Sequence, residues 1–310
     1  MDEHLATTVV VPRAGVESRP KGHLQRAQRR AGVVFSVPVV VLYVLLLAVP
    51  IVQTFYYSFT TWDGITSTWV GLGNYQRLFG DPTFWRVVFN NLALLASIPF
   101  AILIPLLVAF LLNEHVPGWR FFRSVYFLPT AISWVVIGMV ATRFFADKGI
   151  LNNLLDLVGL GVIHTDFLGQ EYTALLAVIL TFIWSVFGTN TIIFITGMAT
   201  LDREVYEAAR VDGAGGLAMF RHITIPLLMR FIQFAFVLTL ITGFTALFSL
   251  IFIMTEGGPG YATTTLEFFV YQTAFSNGAF GYAAAIGIVL FAIVFVISIA
   301  QIRILQGHGE

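Results

Sequence analysis

The side chains that carry covalent or acid–base chemistry are thinly spread over this chain. Cysteine is absent, which removes disulfides, cysteine-ligated zinc and thiol nucleophiles together. Lysine occurs only as Lys21 and Lys148, and neither closes a Gly-x-x-x-x-Gly-Lys-Ser/Thr run. The chain therefore has no phosphate-binding loop and no route of that kind to ATP hydrolysis. The six histidines never form His-Glu-x-x-His, and no serine sits in Gly-x-Ser-x-Gly. A hydrolase is not the reading, and neither a catalytic residue nor a bound metal or cofactor is expected.

One segment does concentrate ionisable groups at helical spacing, residues 201–226. Leu201, Val205 and Ala208 fall on one face of a helix, with Glu204, Glu207 and Arg210 toward the other. Asp202 and Glu204 suit the positive end of the helix dipole, Gly213 can end the helix at positive φ, and a second short helix follows around 217–222. Pro226 then opens the next apolar run, where its missing N–H costs nothing in a first turn. Two readings stand side by side: a helix resting on lipid headgroups, or a compact protrusion shaped to enter a cleft on another protein. In the second, a carboxylate at the tip accepts charge-assisted hydrogen bonds from a partner's arginine.

The elements around this segment are apolar. The chain has 310 residues, 57% hydrophobic and 11% charged, against about 25% charged in ordinary soluble domains. Charge-poor stretches at 33–55, 88–112, 126–141, 175–198, 231–254 and 282–302 read as six membrane-spanning helices. None contains an acidic residue, which argues against an ion-coupled carrier. Pro38, Pro50, Pro99, Pro105 and Pro129 lie within them, as membrane helices tolerate. Residues 1–32, with Pro12, Pro20 and six basic residues but no hydrophobic period, read as a disordered cytoplasmic tail. A cleaved signal peptide competes with the first span, but the run is too long and ends in Gln53-Thr54-Phe55-Tyr56-Tyr57.

With the amino terminus inside, thirteen of the 17 basic residues fall on the cytoplasmic side, so both termini are expected there. The formal net charge is zero, and nothing recruits nucleic acid. Among the external segments, Ile150, Leu151, Leu154, Leu155 and Val158 fit either a short interfacial helix or a plain connector.

Glu207-Ala208-Ala209 followed by Asp212-Gly213-Ala214, Phe220, Ile223-Thr224 and Pro226 resembles the coupling motif of binding-protein-dependent ATP-binding-cassette (ABC) importers. The subset it resembles is the carbohydrate permeases of the maltose and glycerol-phosphate type. Gly71-Leu72-Gly73-Asn74-Tyr75, Phe122-Arg123-Ser124-Val125-Tyr126-Phe127-Leu128-Pro129 and Thr255-Glu256-Gly257-Gly258-Pro259 extend the likeness over nearly everything after residue 33. The family often has proline where Asp202 stands and glycine where Glu256 stands.

The resemblance implies an all-α, polytopic membrane protein of the type I ABC importer permease fold, with a six-span domain over 33–306 and a coupling loop at 200–226. It implies a non-catalytic permease, the first of a heterodimeric pair, moving a sugar or sugar-like solute across the cell membrane. Its partners would be a second permease, two cytoplasmic ATPase subunits that bind the ATP and Mg, an extracytoplasmic substrate-binding protein and the lipid bilayer. Glu207, Ala208, Ala209, Asp212, Gly213 and Ala214 would carry the coupling. The family's solute-contacting positions fall on Phe182, Ser185, Val186, Thr189, Thr239, Gly243 and Ala246, with Trp184 and Asn190 as further candidates. Small and hydroxyl residues at such positions also serve helix packing. A membrane anchor for an ATPase without a solute path, and a membrane-embedded enzyme, are the alternatives.

Overall fold

The computed structural model describes residue 32 and residues 34–113 and 119–306; apart from residue 32, the expected tail lies outside them. The chain divides into two units, Met1–Gln53 and Thr54–Glu310. From residue 34 the described part of the first is helical, the start of α1 (Val34–Tyr57), with a π turn at Val44–Ala48. The second carries α2 (Gly73–Gly80), α3 (Pro82–Asn113), α4 (Trp119–Ala131), α5 (Trp134–Phe145) and α6 (Ile150–Leu157). It continues with α7 (Glu171–Met198), α8 (Arg203–Val211), α9 (Gly216–Leu227), α10 (Met229–Thr245), α11 (Leu247–Met254), α12 (Leu266–Tyr271) and α13 (Phe280–Gln306). Among the described residues no β-sheet forms, only an isolated bridge between Thr60 and Trp69.

Side-chain ties fix the direction of the long helices. Arg86 pairs with Glu171 at 2.8 Å, Asn190 donates to the Ala101 carbonyl at 2.8 Å, and Phe110 meets Phe220 at 5.3 Å. Helices α3 and α7 thus run the same way, starting at one end and finishing beside α8 and α9. Helix α13 joins them, its Tyr282 and Ile286 against Leu78, Phe84 and Val87, and its Leu290, Val294 and Ile297 farther along, against the core beside α8. Helices α10 and α11 return in the opposite sense, Thr239 meeting Asn190 and Met254 meeting Thr181.

Four described helices are long and apolar enough to cross a membrane, or up to five if α9 and α10, bent by 73°, are joined. The six continuous spans expected from composition are thus corrected in two places. The stretch at 126–141 is split between α4 and α5: Pro129 supplies no N–H to the carbonyl one turn back, and Ser133, in an extended conformation, accepts from Val136 N–H and restarts the helix. The stretch at 231–254 breaks at Ala246. Pro226 does not open the fifth stretch either. It lies in the last turn of α9, and the bend at Leu228 separates it from α10. Pro99 and Pro105, by contrast, sit inside an unbroken α3.

The end where α3, α7 and α13 begin is loop-rich, and buried amides brace it. Asn74 donates to the carbonyls of Ser58 and Thr60, both at 2.8 Å; Asn90 donates to those of Tyr261 and Thr264 at 2.8 and 2.9 Å. Asn152, on α6, donates to Asp147 and Thr165 carbonyls at 2.8 Å. Residues 150–157 are indeed helical, with Leu151 against the core while Ile150, Leu154 and Val158 are exposed. Glu267 of α12 is largely buried here, facing the Phe248 N–H just after the Ala246 break, and burial pushes its carboxyl up to about 8.

Candidate functional site

Helix α8 starts at Arg203 with Asp202 in the capping position and Glu204 in the first turn, although the Asp202 carboxylate makes no capping hydrogen bond. It ends in a Schellman turn: the Ala214 N–H donates to the Ala209 carbonyl at 2.9 Å and the Gly213 N–H to the Arg210 carbonyl at 3.1 Å. Gly213 sits at φ +81°. A side chain there would force a left-handed conformation that costs roughly 1–2 kcal/mol.

The apolar face differs from the expected one. Tyr206 and Ala209, with Leu201 and Ala214, pack against a core containing Phe194, Met198, Met219 and Leu228. Val205 and Ala208 are exposed beside Glu204, Glu207 and Arg210. The reason is the extended backbone of Asp202: Leu201 lies before the helix, so helical phase cannot be counted from it. Thr224 donates to the Met219 carbonyl at 3.3 Å, which leaves its oxygen to accept from the Tyr206 hydroxyl at 3.2 Å. Of the six motif residues, Glu207, Ala208, Asp212 and Gly213 are exposed, while Ala209 and Ala214 hold the protrusion to the helices. Val211 and Leu217, 87% and 80% exposed, extend the outer surface with apolar area.

Farther up the same helices lies a cavity of about 220 Å³. Helix α7 lines it with Ser185, Val186, Thr189 and Asn190, and α10 with Leu238, Thr239 and Thr242. The α4–α5 break closes it with Pro129, Thr130, Ile132, Trp134 and Ile137. Helix α4 can approach α7 so closely because residue 188 is glycine: a Cβ there would run into the Tyr126 carbonyl and, at 2.7 Å, the Thr130 methyl.

Four of the seven expected path residues, Ser185, Val186, Thr189 and Thr239, meet in this cavity. The other three do not line it. Phe182 is buried beside Trp134, at 6.4 Å between ring centroids, and its ring lies 3.4 Å from where a Cβ on Gly243 would stand, so these two pack on each other. Ala246 sits at the break between α10 and α11.

Asn190 lines the cavity while donating to the Ala101 carbonyl and, at 3.0 Å, to Thr239 Oγ1. Trp184 faces a separate apolar cleft of about 470 Å³ with Phe144, Phe145 and Leu151. Hydroxyls of Ser185, Thr130 and Thr242 donate to carbonyls of their own helices at 2.7, 2.7 and 2.8 Å, keeping acceptor capacity toward the cavity. The α4–α5 wall was missed by sequence reasoning. Pro129 four residues before a capping Ser133 was its available signal.

Residues 82–306 match the family described as binding-protein-dependent transport system inner membrane component. The chain belongs to this family. The permease is 36% identical over 282 residues to the Probable ABC transporter permease protein YurN of Bacillus subtilis, covering 89% of this chain and 96% of that one. It is 34% identical over 276 residues to the Multiple sugar-binding transport system permease protein MsmF of Streptococcus mutans, covering 88% and 94%. Its fold is that of a chain in a bacterial ABC transporter involved in import of the acidic polysaccharide alginate, with TM-score 0.78 and 22% identity over 93% of this chain and 99% of that one. Protrusion and cavity both fall inside the family match, whereas α1 precedes it.

Proposed function

We propose that the permease is one of two transmembrane subunits of an ATP-driven importer that carries a sugar or sugar-like solute from a binding protein into the cytoplasm. The observation that carries this reading is the continuity between protrusion and cavity. Tyr206 and Ala209 pack against a core to which α7 gives Phe194 and Met198 and α10 gives Ala235 and Leu240, and neighbouring turns of those two helices line the cavity. A push on α8 is thereby passed to Thr189 and Thr239 through packed side chains, which resist compression.

Two cytoplasmic ATPase subunits would supply that push, since the chain has no nucleotide loop of its own. Closing on ATP, they would tip the helices toward an outward-facing state that the loaded binding protein also favours; each ligand shifts the balance only by its differential affinity. A cavity of about 220 Å³ is smaller than the ~300–1,000 Å³ that encloses a small ligand. One wall here and one from the second permease would complete the path.

The breaks at Ile132–Ser133 and Ala246 are then interruptions within six spans, with both termini and the α8 end cytoplasmic, as the bias of basic residues supports. An Arg203→Cys variant in this cysteine-free chain should resist an impermeant thiol reagent outside intact cells; labelling there would overturn the topology. Uptake of labelled oligosaccharide by the reconstituted complex tests the path. Thr189→Trp should abolish uptake while the complex still assembles, and normal uptake in that variant would sink the assignment.

A further inference from the structure

A buried carboxyl lies where the broken span restarts. Helix α11 begins at Leu247, and a helix start offers N–H groups that need acceptors from outside its own turns. Glu267, on α12, turns its carboxyl to the Phe248 N–H. Its Oε1 is buried without a hydrogen-bond partner. Aromatic rings close the seam between the two helices: Phe248 meets Tyr271 edge to face at 5.0 Å and Phe268 at 5.7 Å, and Phe252 meets Tyr271 at 5.9 Å.

Among the described residues, the elements that pack on α12 bring no counter-charge to this carboxyl. Helix α11 and the turn at Gln272–Ser276 carry no titratable side chain. Helix α3 offers only Arg86, which is paired with Glu171. Helix α13 presents Tyr282 to another face of α12, beside Leu266 and Phe269, and carries Arg303 only in its last turn. In the loop between α11 and α12, Glu256 is exposed and Tyr261 lies against Phe269. A carboxylate here is a buried charge with a single N–H to face, so burial holds the group in its acid form up to about 8. Release of the proton to outside water leaves a charge that is relieved when α12 lifts from α11 and lets water in. The lift reaches α10 because that helix ends at the break: the Ala246 N–H donates to the Thr242 carbonyl at 2.9 Å, and Thr242 lines the 220 Å³ cavity.

We propose that Glu267 is a positioning residue whose protonated carboxyl latches α12 onto the start of α11 and so sets the cavity-lining turn of α10, and that ionisation opens the latch. The latch stands on its own geometry; its meaning for the cavity, and the side of the membrane that supplies the proton, rest on the transport reading.

The test uses the full chain in lipid nanodiscs, one cysteine reporter at a time, and an uncharged maleimide. Thr265→Cys is buried at the start of α12, where the hydroxyl has no partner to lose, and Thr242→Cys lines the cavity. Each labelling rate is divided by that of the same reporter in Glu267→Gln, which keeps the shape and cannot ionise, so the reporter thiol's own titration cancels. Glu267→Met, also unable to ionise, gives a second reference. From about pH 7 to about pH 9 the ionised fraction of a group titrating near 8 goes from about a tenth to about nine tenths, so the Thr265→Cys ratio should rise about tenfold. Thr242→Cys should shift with the same midpoint, and an Ile65→Cys reporter on the exposed loop should keep a constant ratio. Return to neutral pH should restore the starting ratios. A flat Thr265→Cys ratio overturns the latch, and so does a rise that fails to reverse, which marks unfolding. A flat Thr242→Cys ratio beside a responding Thr265→Cys overturns its reach to the cavity. Because no ATPase, binding protein or solute enters the assay, failure here leaves the transport reading standing, and normal uptake in Thr189→Trp leaves the latch standing.

Discussion

The two ends of the helix bundle are held by different forces. At the loop-rich end the backbone leaves helical geometry over 58–72, 146–149 and 255–265, and its carbonyls have no ladder to receive. Buried amides take that role: Asn74, Asn90 and Asn152 each reach across to carbonyls of other segments. At the opposite end, α8 and α9 satisfy their own backbone through helical bonds and the Schellman turn at Gly213. Attachment there is mainly apolar, through Tyr206, Ala209 and Ala214, with the Tyr206–Thr224 hydroxyl pair as its cross-tie. Irregular backbone needs side-chain donors at fixed places, whereas a helix can dock by one face and leave the other free for a partner.

The sharpest way to break this comparison is to remove a brace. Asn90→Leu leaves the carbonyls of Tyr261 and Thr264 without their donor, and at about 1–3 kcal/mol for each it should cost ~2–6 kcal/mol. A thermal melt of the purified chain reads this, and an unchanged midpoint would mean the loops are held by packing alone.

Glu207→Ala should do the reverse. The melt should stay unchanged, because Glu207 is exposed, while co-purification with the proposed ATPase partner weakens by roughly 2–5 kcal/mol if the carboxylate is desolvated on docking. Retention of the ATPase at the unaltered level would move the docking energy to the apolar outer surface of Val205, Val211 and Leu217.

The last expected change is a trend with pH. Burial raises the Glu267 carboxyl from 4.5 to about 8, so the folded chain keeps a proton that the unfolded chain releases above its ordinary value. Stability from this group is fully present below about 4.5, falls as pH rises toward 8 and levels off beyond. Glu267→Gln should flatten that slope in melts taken across the same window; an unaltered slope would place the titrating group elsewhere.

Composition and spacing determined a good deal without coordinates. Four of the six charge-free runs are long apolar helices, as expected where each backbone group must be satisfied within its own segment. The Gly213 terminus of α8 was equally legible, because positive φ after an amphipathic run is a local requirement. Local rules also grouped Ser185 with Thr189 on α7, where i and i+4 share a face.

Tertiary structure alone decided which face of α8 turns inward, because the extended Asp202 resets a phase that periodicity assumes to be continuous. It alone brought Thr130 and Trp134 opposite Thr189 and turned Phe182 toward Gly243 and away from the cavity. Cavity walls come from segments tens of residues apart, and their meeting depends on close approaches such as that at Gly188. Sequence spacing measures position along one helix; which helices touch, and at what height, is set by the packing of side chains between them.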